Sequence, residues 1–368
     1  MNYYIIAGEA SGDLHASNLM KELKNADANA TFRCWGGDLM KAQGAELVKH
    51  YRDLAFMGFT EVLMNLRTIL GNIDFCKKDI LEHRPDVLIL VDYPGFNLRI
   101  AEFAKEQGIK VFYYISPQVW AWKQSRVHKI KRVVDKMFVI LPFEKEFYEK
   151  FDYHVDFVGH PLLDAVAGYS TQSLPLSVTT EKPIIALLPG SRKQEISVML
   201  PLMLSMQKYY PEHLFVIAGA PSQSKAFYQT FIQNANVQIV YNETYPLLQK
   251  ASAALVTSGT ATLETALFGV PEVVCYKGGA ISYMIARQLV KVKYISLVNL
   301  IMDREIVKEL IQNDLNEANL KAELDKLLQP ASRKQMLDNY AELKAKLGGA
   351  GASRNTAELM VAELKRTA

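Results

Sequence analysis

Val87-Leu88-Ile89-Leu90-Val91-Asp92-Tyr93-Pro94-Gly95-Phe96-Asn97 is the stretch that decides the fold. Five apolar residues run straight into an aspartate, and Pro94 and Gly95 then break the strand. An uninterrupted apolar run of this length reads as a strand buried on both faces of a parallel sheet. Ligands of such sheets sit outside the carboxyl ends of the strands. Asp92 is therefore a carboxylate on a rigid edge, where a general base belongs. A second reading stands beside this one: Asp92 ties down the turn through an Asx-type hydrogen bond. Asn97 can cap the helix that follows.

Outward from this stretch, apolar runs alternate with helical periodicity. Strands are predicted over 3–7, 31–35, 87–91, 110–115, 136–141 and 155–158. Helices are predicted between them, at 14–24, 59–82, 97–107, 123–133 and 143–150. The segment 167–182 is rich in Ser, Thr and Pro and reads as a linker. The alternation then restarts, with strands expected at 183–188, 213–218, 237–240, 253–257, 272–276 and 294–298. Helices fit 193–209, 221–234, 244–250, 260–268 and 281–291, and from about 316 onward the pattern is only helical. Repeated β-α alternation implies α/β domains with parallel sheets. We expect a first Rossmann-like domain over 1–166, the linker, and a second over 183–347. Gly348-Gly349-Ala350-Gly351 precedes a last helix within 352–368, free to pack on the first domain or on a second copy in a homodimer. A cleft between two such domains suits an enzyme with two substrates.

Composition narrows the class. The chain has 368 residues, 49% hydrophobic and 22% charged, with a net charge of +3. That is ordinary for a globular protein with two domains and too weakly basic to favour nucleic acid. Cys34, Cys76 and Cys275 are scattered and odd in number, which suits a reducing cytoplasm. The first residues lack the features of a signal peptide, and no window of 18 consecutive apolar residues occurs. No D-x-D pair and no His/Cys/carboxylate cluster with ligand spacing is present, so no metal and no cofactor is expected.

Four further words carry chemistry. Gly8-Glu9-Ala10-Ser11-Gly12-Asp13 ends the first strand and opens a helix whose N–H groups can meet an anion or a sugar hydroxyl. Its spacing is not the dinucleotide fingerprint, and a tight turn with an N-cap explains it equally. Pro189-Gly190-Ser191-Arg192 hands a strand to a helix beside a guanidinium, a pattern that would bind a diphosphate. Thr257-Ser258-Gly259-Thr260-Ala261-Thr262-Leu263-Glu264 does the same with hydroxyls, and Glu264 one turn in can accept from ribose hydroxyls. A capping box would also account for Glu264. Trp120, Trp122 and Lys123, followed by Arg126, His128, Lys129, Lys131 and Arg132, suit a lipid headgroup zone or a phosphate-bearing substrate. A solvated helix face is the plain alternative. His15 and His160 lie near strand ends, and a lone histidine is more often structural.

One helix has an unusual surface. Phe59, Val62, Leu63, Leu66, Ile69, Leu70 and Ile73 fall at three- and four-residue spacing, with Phe56, Met57 and Met64 adding apolar surface. Core packing explains such a stripe, and so does a helix that dips into a membrane surface or contacts acyl chains.

Together these words resemble the lipid-A-disaccharide synthases, inverting glycosyltransferases of the GT-B architecture. The matching words are GEASGD at 8–13, DYPGFN at 92–97, SPQVWAWK at 116–123, LPFEKEFYEKF at 141–151, FVGHPLLD at 157–164, LLPGSR at 187–192, SGTATLE at 258–264 and VNL at 298–300. The resemblance implies transfer from UDP-2,3-diacylglucosamine to 2,3-diacylglucosamine 1-phosphate, lipid X. The product would be the β(1→6)-linked lipid A disaccharide 1-phosphate, with UDP released. It implies Asp92 as the general base for the acceptor 6-hydroxyl. It implies Arg192, Glu264 and Asn299 in donor binding and activity, beside Gly190, Ser191, Ser258, Gly259 and Thr260. Acceptor contacts are expected from Glu9, Ser11, Gly12, Asp13, Phe96 and Asn97. It implies a peripheral enzyme on the cytoplasmic face of the inner membrane, with lipid-linked sugars and the membrane surface as partners. Membrane or acyl contacts are then expected from Phe56, Met57, Phe59, Val62, Leu63 and Leu66. Other GT-B enzymes that use UDP-N-acetylglucosamine, a 2-epimerase or the peptidoglycan lipid glycosyltransferase, share the plan.

Overall fold

A computed structural model describes residues 1–54, 66–170, 175–232, 237–279 and 293–367. It divides into two compact units: Met1–Asp164 with Leu347–Ala368, and Ala165–Lys346. The expected membrane contacts Phe56, Met57, Phe59, Val62 and Leu63, the Leu66 side chain and the predicted helix 281–291 lie outside the described residues.

The first unit is built on seven parallel strands. These are β1 (Asn2–Ala7), β2 (Thr31–Gly36), β3 (Glu46–His50), β4 (Val87–Val91), β5 (Lys110–Tyr114), β6 (Lys136–Val139) and β7 (Asp156–Phe157). Their order in the sheet is β3-β2-β1-β4-β5-β6-β7. All five β4 residues are buried, as a strand covered by helices on both faces requires. β1 and β4 pair in register, Ala7 opposite Val91, so their carboxyl ends emerge side by side. The chain order reverses between these two strands, which makes this the unit's switch point. The helix Pro94–Glu106 follows β4, with proline in its first turn and Phe96, Ile100, Ala101 and Ala104 turned inward.

The second unit repeats the plan with six parallel strands. They are β8 (Ile184–Leu188), β9 (Leu214–Gly219), β10 (Val237–Tyr241), β11 (Ala251–Thr257), β12 (Glu272–Tyr276) and β13 (Lys308–Ile311). The order is β10-β9-β8-β11-β12-β13, so β8 and β11 stand where β1 and β4 stand in the first unit. The sheet separates two apolar clusters, one around Leu187, Leu200 and Phe215, the other around Ala186, Leu247 and Val256. Leu176 and Val178, in the stretch expected to be a linker, are buried in the second of these.

Three local expectations are corrected. Residues 294–298 form no strand; Leu297–Met302 is a helix, capped by Ser296 Oγ accepting from the Asn299 N–H at 3.2 Å. The sixth strand is β13, whose charged residues hid it in the sequence. β3 was also not anticipated; four of its five residues are only partly buried at the sheet's edge.

The last helix, Ala352–Thr367, belongs to the first unit, where it packs on the helix Ala10–Ala26. Asp164 fixes its start, accepting from the backbone N–H groups of Gly351 and Ser353. Four residues of the preceding turn are glycine or alanine, and Gly348, Gly349 and Gly351 have φ of 89°, 81° and 111°. Left-handed backbone of this kind costs glycine little.

Candidate functional site

The turn after β4 is strained and braced. Asp92 and Tyr93 both adopt left-handed backbone, with φ of 45° and 48°. Such conformations cost of order 1–3 kcal/mol at a non-glycine residue and persist only where surroundings hold them. Here the holding groups are explicit. The Asn97 amide donates to the carbonyls of Asp92 at 2.7 Å and Val91 at 3.3 Å. The Tyr113 hydroxyl, on the neighbouring strand β5, also donates to the Asp92 carbonyl. The Asp92 N–H donates to the Tyr114 carbonyl at 3.3 Å. The Tyr93 ring stacks on Phe96 at 5.6 Å and lies so close to Gly8 that a Cβ there would sit 2.3 Å from it. Gly8 and the Asp92 turn are thus two halves of one construction.

This bracing leaves the Asp92 carboxyl half-buried at the edge of the sheet. Its pKa is pushed up to about 6, first by burial and then by the nearby negative charge of Glu9. Glu9 itself ends the turn after β1, half-buried, as the N-cap of the helix Ala10–Ala26. Two carboxylates therefore meet at the switch point, and their repulsion favours proton uptake. A carboxylate that binds a proton near neutrality can take one from a substrate hydroxyl.

The acceptor contacts expected here divide into two groups. Ser11 is exposed and Glu9 half-buried, so both face the edge. The other four are buried. Asp13 is buried and caps the helix Asp38–Ala42, its carboxylate accepting from the N–H groups of Gly37, Leu39 and Met40 at 2.8–3.1 Å. Gly12 is buried against Ala7. Phe96 is buried between Trp35 and Tyr93. Asn97 is buried and spent on the turn. These four support the edge. His15 and His160 are buried too, with pKa values lowered by burial to about 4 and 3, so both are neutral near pH 7. The charge of Asp164, which caps the last helix, is felt by His15.

At the second unit's switch point the groups are cationic and hydroxylic. Gly190, with φ 101°, lets the turn after β8 pass the Glu195 side chain, whose carboxyl oxygen would lie 2.8 Å from a Cβ. Ser191 is exposed, and Arg192 caps the helix Lys193–Leu204. The Arg192 guanidinium meets Glu195 at 3.2 Å with its side chain 59% exposed. A solvated pair three residues apart contributes little, a few tenths of a kcal/mol.

After β11, Ser258 donates to the Ile295 carbonyl at 2.9 Å, and Gly259 and Thr260 are exposed at the start of the helix Thr260–Leu267. Glu264 is half-buried and accepts from the Tyr245 hydroxyl at 2.8 Å. Burial raises its pKa, and the tyrosine offsets part of the rise. Asn299 is fully buried. Its oxygen accepts from the N–H groups of Ile306 and Val307, and its amide donates to the Val307 carbonyl and to Glu309. Glu309 in turn accepts from the N–H groups of Ile295 and Ser296. Asn299 thus positions the segment on which Ser258 rests. Tyr113, Tyr245 and Glu309 were missed from sequence. A tyrosine inside an apolar strand, as Tyr113 is, must find a partner for its hydroxyl, and that signal was legible.

Comparison with known proteins shows the family. The family described as Lipid-A-disaccharide synthetase matches residues 3–364. The chain belongs to this family. It is 40% identical over 374 residues to a lipid-A-disaccharide synthase of Syntrophus aciditrophicus, covering 99% of this chain and 98% of that one. It is 41% identical to one of Nitrosococcus oceani, covering 98% and 96%. In fold it is similar to UDP-GlcNAc 2-epimerase from Neisseria meningitidis bound to UDP-GlcNAc, with a TM-score of 0.68, 14% identity and 98% and 100% coverage. The glycotransferase of kitacinnamycin superposes with a TM-score of 0.66 at 14% identity, covering 99% of each chain. The fold is thus the GT-B class of two Rossmann-like units, and the enzyme is a glycosyltransferase of lipid A biosynthesis. No helix among the described residues is long and apolar enough to cross a membrane.

Proposed function

We propose that the enzyme transfers a diacylglucosamine unit from UDP-2,3-diacylglucosamine to the 6-hydroxyl of lipid X, with inversion and without a metal ion. The observation that carries this reading is the Asp92 carboxyl, raised to about 6 by burial and by Glu9 on a braced turn. Asp92 takes the proton of the acceptor 6-hydroxyl as its oxygen attacks the anomeric carbon. The bond from that carbon to the UDP oxygen breaks, and the diphosphate leaves with the electron pair. Arg192 and the helix starts at Lys193 and Thr260 meet the charge that develops on the leaving group. Glu264 holds the ribose. One base with no second acid suits an inverting transfer, and charge neutralisation by protein groups takes the place of a D-x-D-bound metal.

The acylated substrates call for a lipid surface. We place the enzyme on the cytoplasmic face of the inner membrane, held peripherally. The helix Leu66–His83 supports this, since Leu70 and Phe75 on it are 48% and 46% exposed. Incubation with UDP-2,3-diacylglucosamine and lipid X, followed by mass spectrometry, tests the reaction. The disaccharide 1-phosphate with UDP in equal amount is expected. UDP release without disaccharide, or an epimerised sugar nucleotide, would overturn the reading.

A further inference from the structure

The segment after β5 leaves the sheet beside the Asp92 turn, because β5 is paired with β4 and Tyr114 stands opposite Val91. It carries Trp122, 40% exposed, with cations on its indole. The Lys123 ammonium lies 4.7 Å from the ring centroid and the Arg126 guanidinium 5.2 Å. Lys123 is itself held in left-handed backbone, φ 55°. The neighbouring cations on the helix Arg126–Val133 are spoken for. Lys129 and Arg132 share Glu102 at 2.8 and 3.1 Å, and Lys131 donates to the Phe151 carbonyl. Among the described residues, neither Lys123 nor Arg126 has a carboxylate within ion-pair distance. The Arg126 charge is nevertheless felt by the Tyr113 hydroxyl, the group that donates to the Asp92 carbonyl. Two cations with no carboxylate partner among the described residues therefore stand on one indole at the flank of the base.

We infer that Lys123 and Arg126, pinned by Trp122, bind the phosphate monoester of the acceptor. The inference rests on the reading of the acceptor as a phosphorylated sugar. A phosphate monoester carries nearly two negative charges, which a guanidinium fork and an ammonium point charge match together. Stacking on the indole orders both long side chains beforehand and lowers the entropy lost on binding. Anchoring the phosphate would orient the sugar and present one hydroxyl to Asp92. A bilayer's anionic headgroups offer similar chemistry, so the test separates the two sources.

The test compares wild type with the double variant Lys123→Ala, Arg126→Ala in detergent micelles, using lipid X and its phosphate-free analogue as acceptors. The double variant is expected to lose about 100-fold in kcat/KM with lipid X, about tenfold per charged contact. The KM for the donor and the melting temperature should not move, and the phosphate-free acceptor should lose far less. Equal losses on both acceptors, or undiminished preference for lipid X, would refute the assignment and leave the overall reaction standing. A variant that sheds phosphatidylglycerol vesicles in sedimentation while keeping its acceptor preference would assign the cations to the bilayer instead. Wild-type enzyme that turns over neither acceptor would overturn the reaction, and this inference with it.

Discussion

The two switch points use one scaffold for opposite charge. In each unit the chain leaves two neighbouring parallel strands, β1 and β4 or β8 and β11, and enters two helices. The first pair of turns presents Glu9 and Asp92; the second presents Arg192, Ser258 and Thr260. The first is held by strain, with Asp92 and Tyr93 in left-handed backbone under the Asn97 amide. The second uses Gly190 and Gly259 where the chain must bend. A base needs a fixed carboxylate whose charged form is destabilised. A leaving-group site needs open N–H groups and an exposed cation. The difference lies in the few residues after each strand; the strand order is shared.

Breaking the first turn should cost most. Asp92→Asn is expected to lower kcat by about 10²–10⁴-fold while leaving UDP affinity intact. Steady-state kinetics and calorimetry of UDP read the two effects separately. At the second turn, Arg192→Ala is expected to weaken UDP by about 10–100-fold, the scale of one charge-assisted contact. Unchanged UDP affinity in calorimetry would remove Arg192 from the donor site.

Asn299 sharpens the comparison, because it is a support like Asn97. Asn299→Ala strands the Ile306 and Val307 N–H groups and should destabilise the enzyme by about 1–3 kcal/mol in urea unfolding. Weakened UDP binding at unchanged stability would instead make Asn299 a direct ligand.

A smaller effect should appear in the stability of Asp92→Asn. The folded-state pKa of Asp92 lies above the usual carboxyl value, so the wild-type folded state binds the extra proton between about 4 and 6. The stability associated with that proton is present at low pH and lost as pH rises through 6. The neutral amide avoids the loss. Asp92→Asn should therefore be more stable than wild type at pH 8 by about 1–2 kcal/mol, discounted for partial exposure, and equal to it at pH 4. Thermal melts at the two pH values check this, and a variant less stable at pH 8 would count against a strained, desolvated carboxylate.

How much of this could be read beforehand depended on how local the cause was. The edge at Asp92 was legible because five apolar residues followed by Pro and Gly admit few other readings. The guanidinium turn was legible for the same reason, an apolar run closed by Pro189 and Gly190, and the hydroxyl turn by the small residues Ser258, Gly259 and Thr260 after a strand. Residues 294–298 were misread because Tyr294-Ile295-Ser296-Leu297-Val298 fits a strand or a helix, and Ser296 as a cap decided it. Asp13 is expected among the acceptor contacts because a polar residue near a strand end is ambiguous until its partners are known, whereas the place of Asn299 follows from the family resemblance alone. Their partners, Gly37 and Ile306 among them, are set by tertiary packing. The pairing of Glu9 with Asp92 depends on the β1–β4 register, which no local pattern encodes.

The central claim is that Asp92 is the base and that Glu9 tunes it. The pH dependence of kcat/KM tests both at once. Activity requires the carboxylate, so wild type should show an ascending limb near pH 6. Removing the Glu9 charge relieves the repulsion, so Glu9→Gln should move that limb to lower pH. A limb that stays in place in Glu9→Gln and persists in the residual activity of Asp92→Asn would contradict the account.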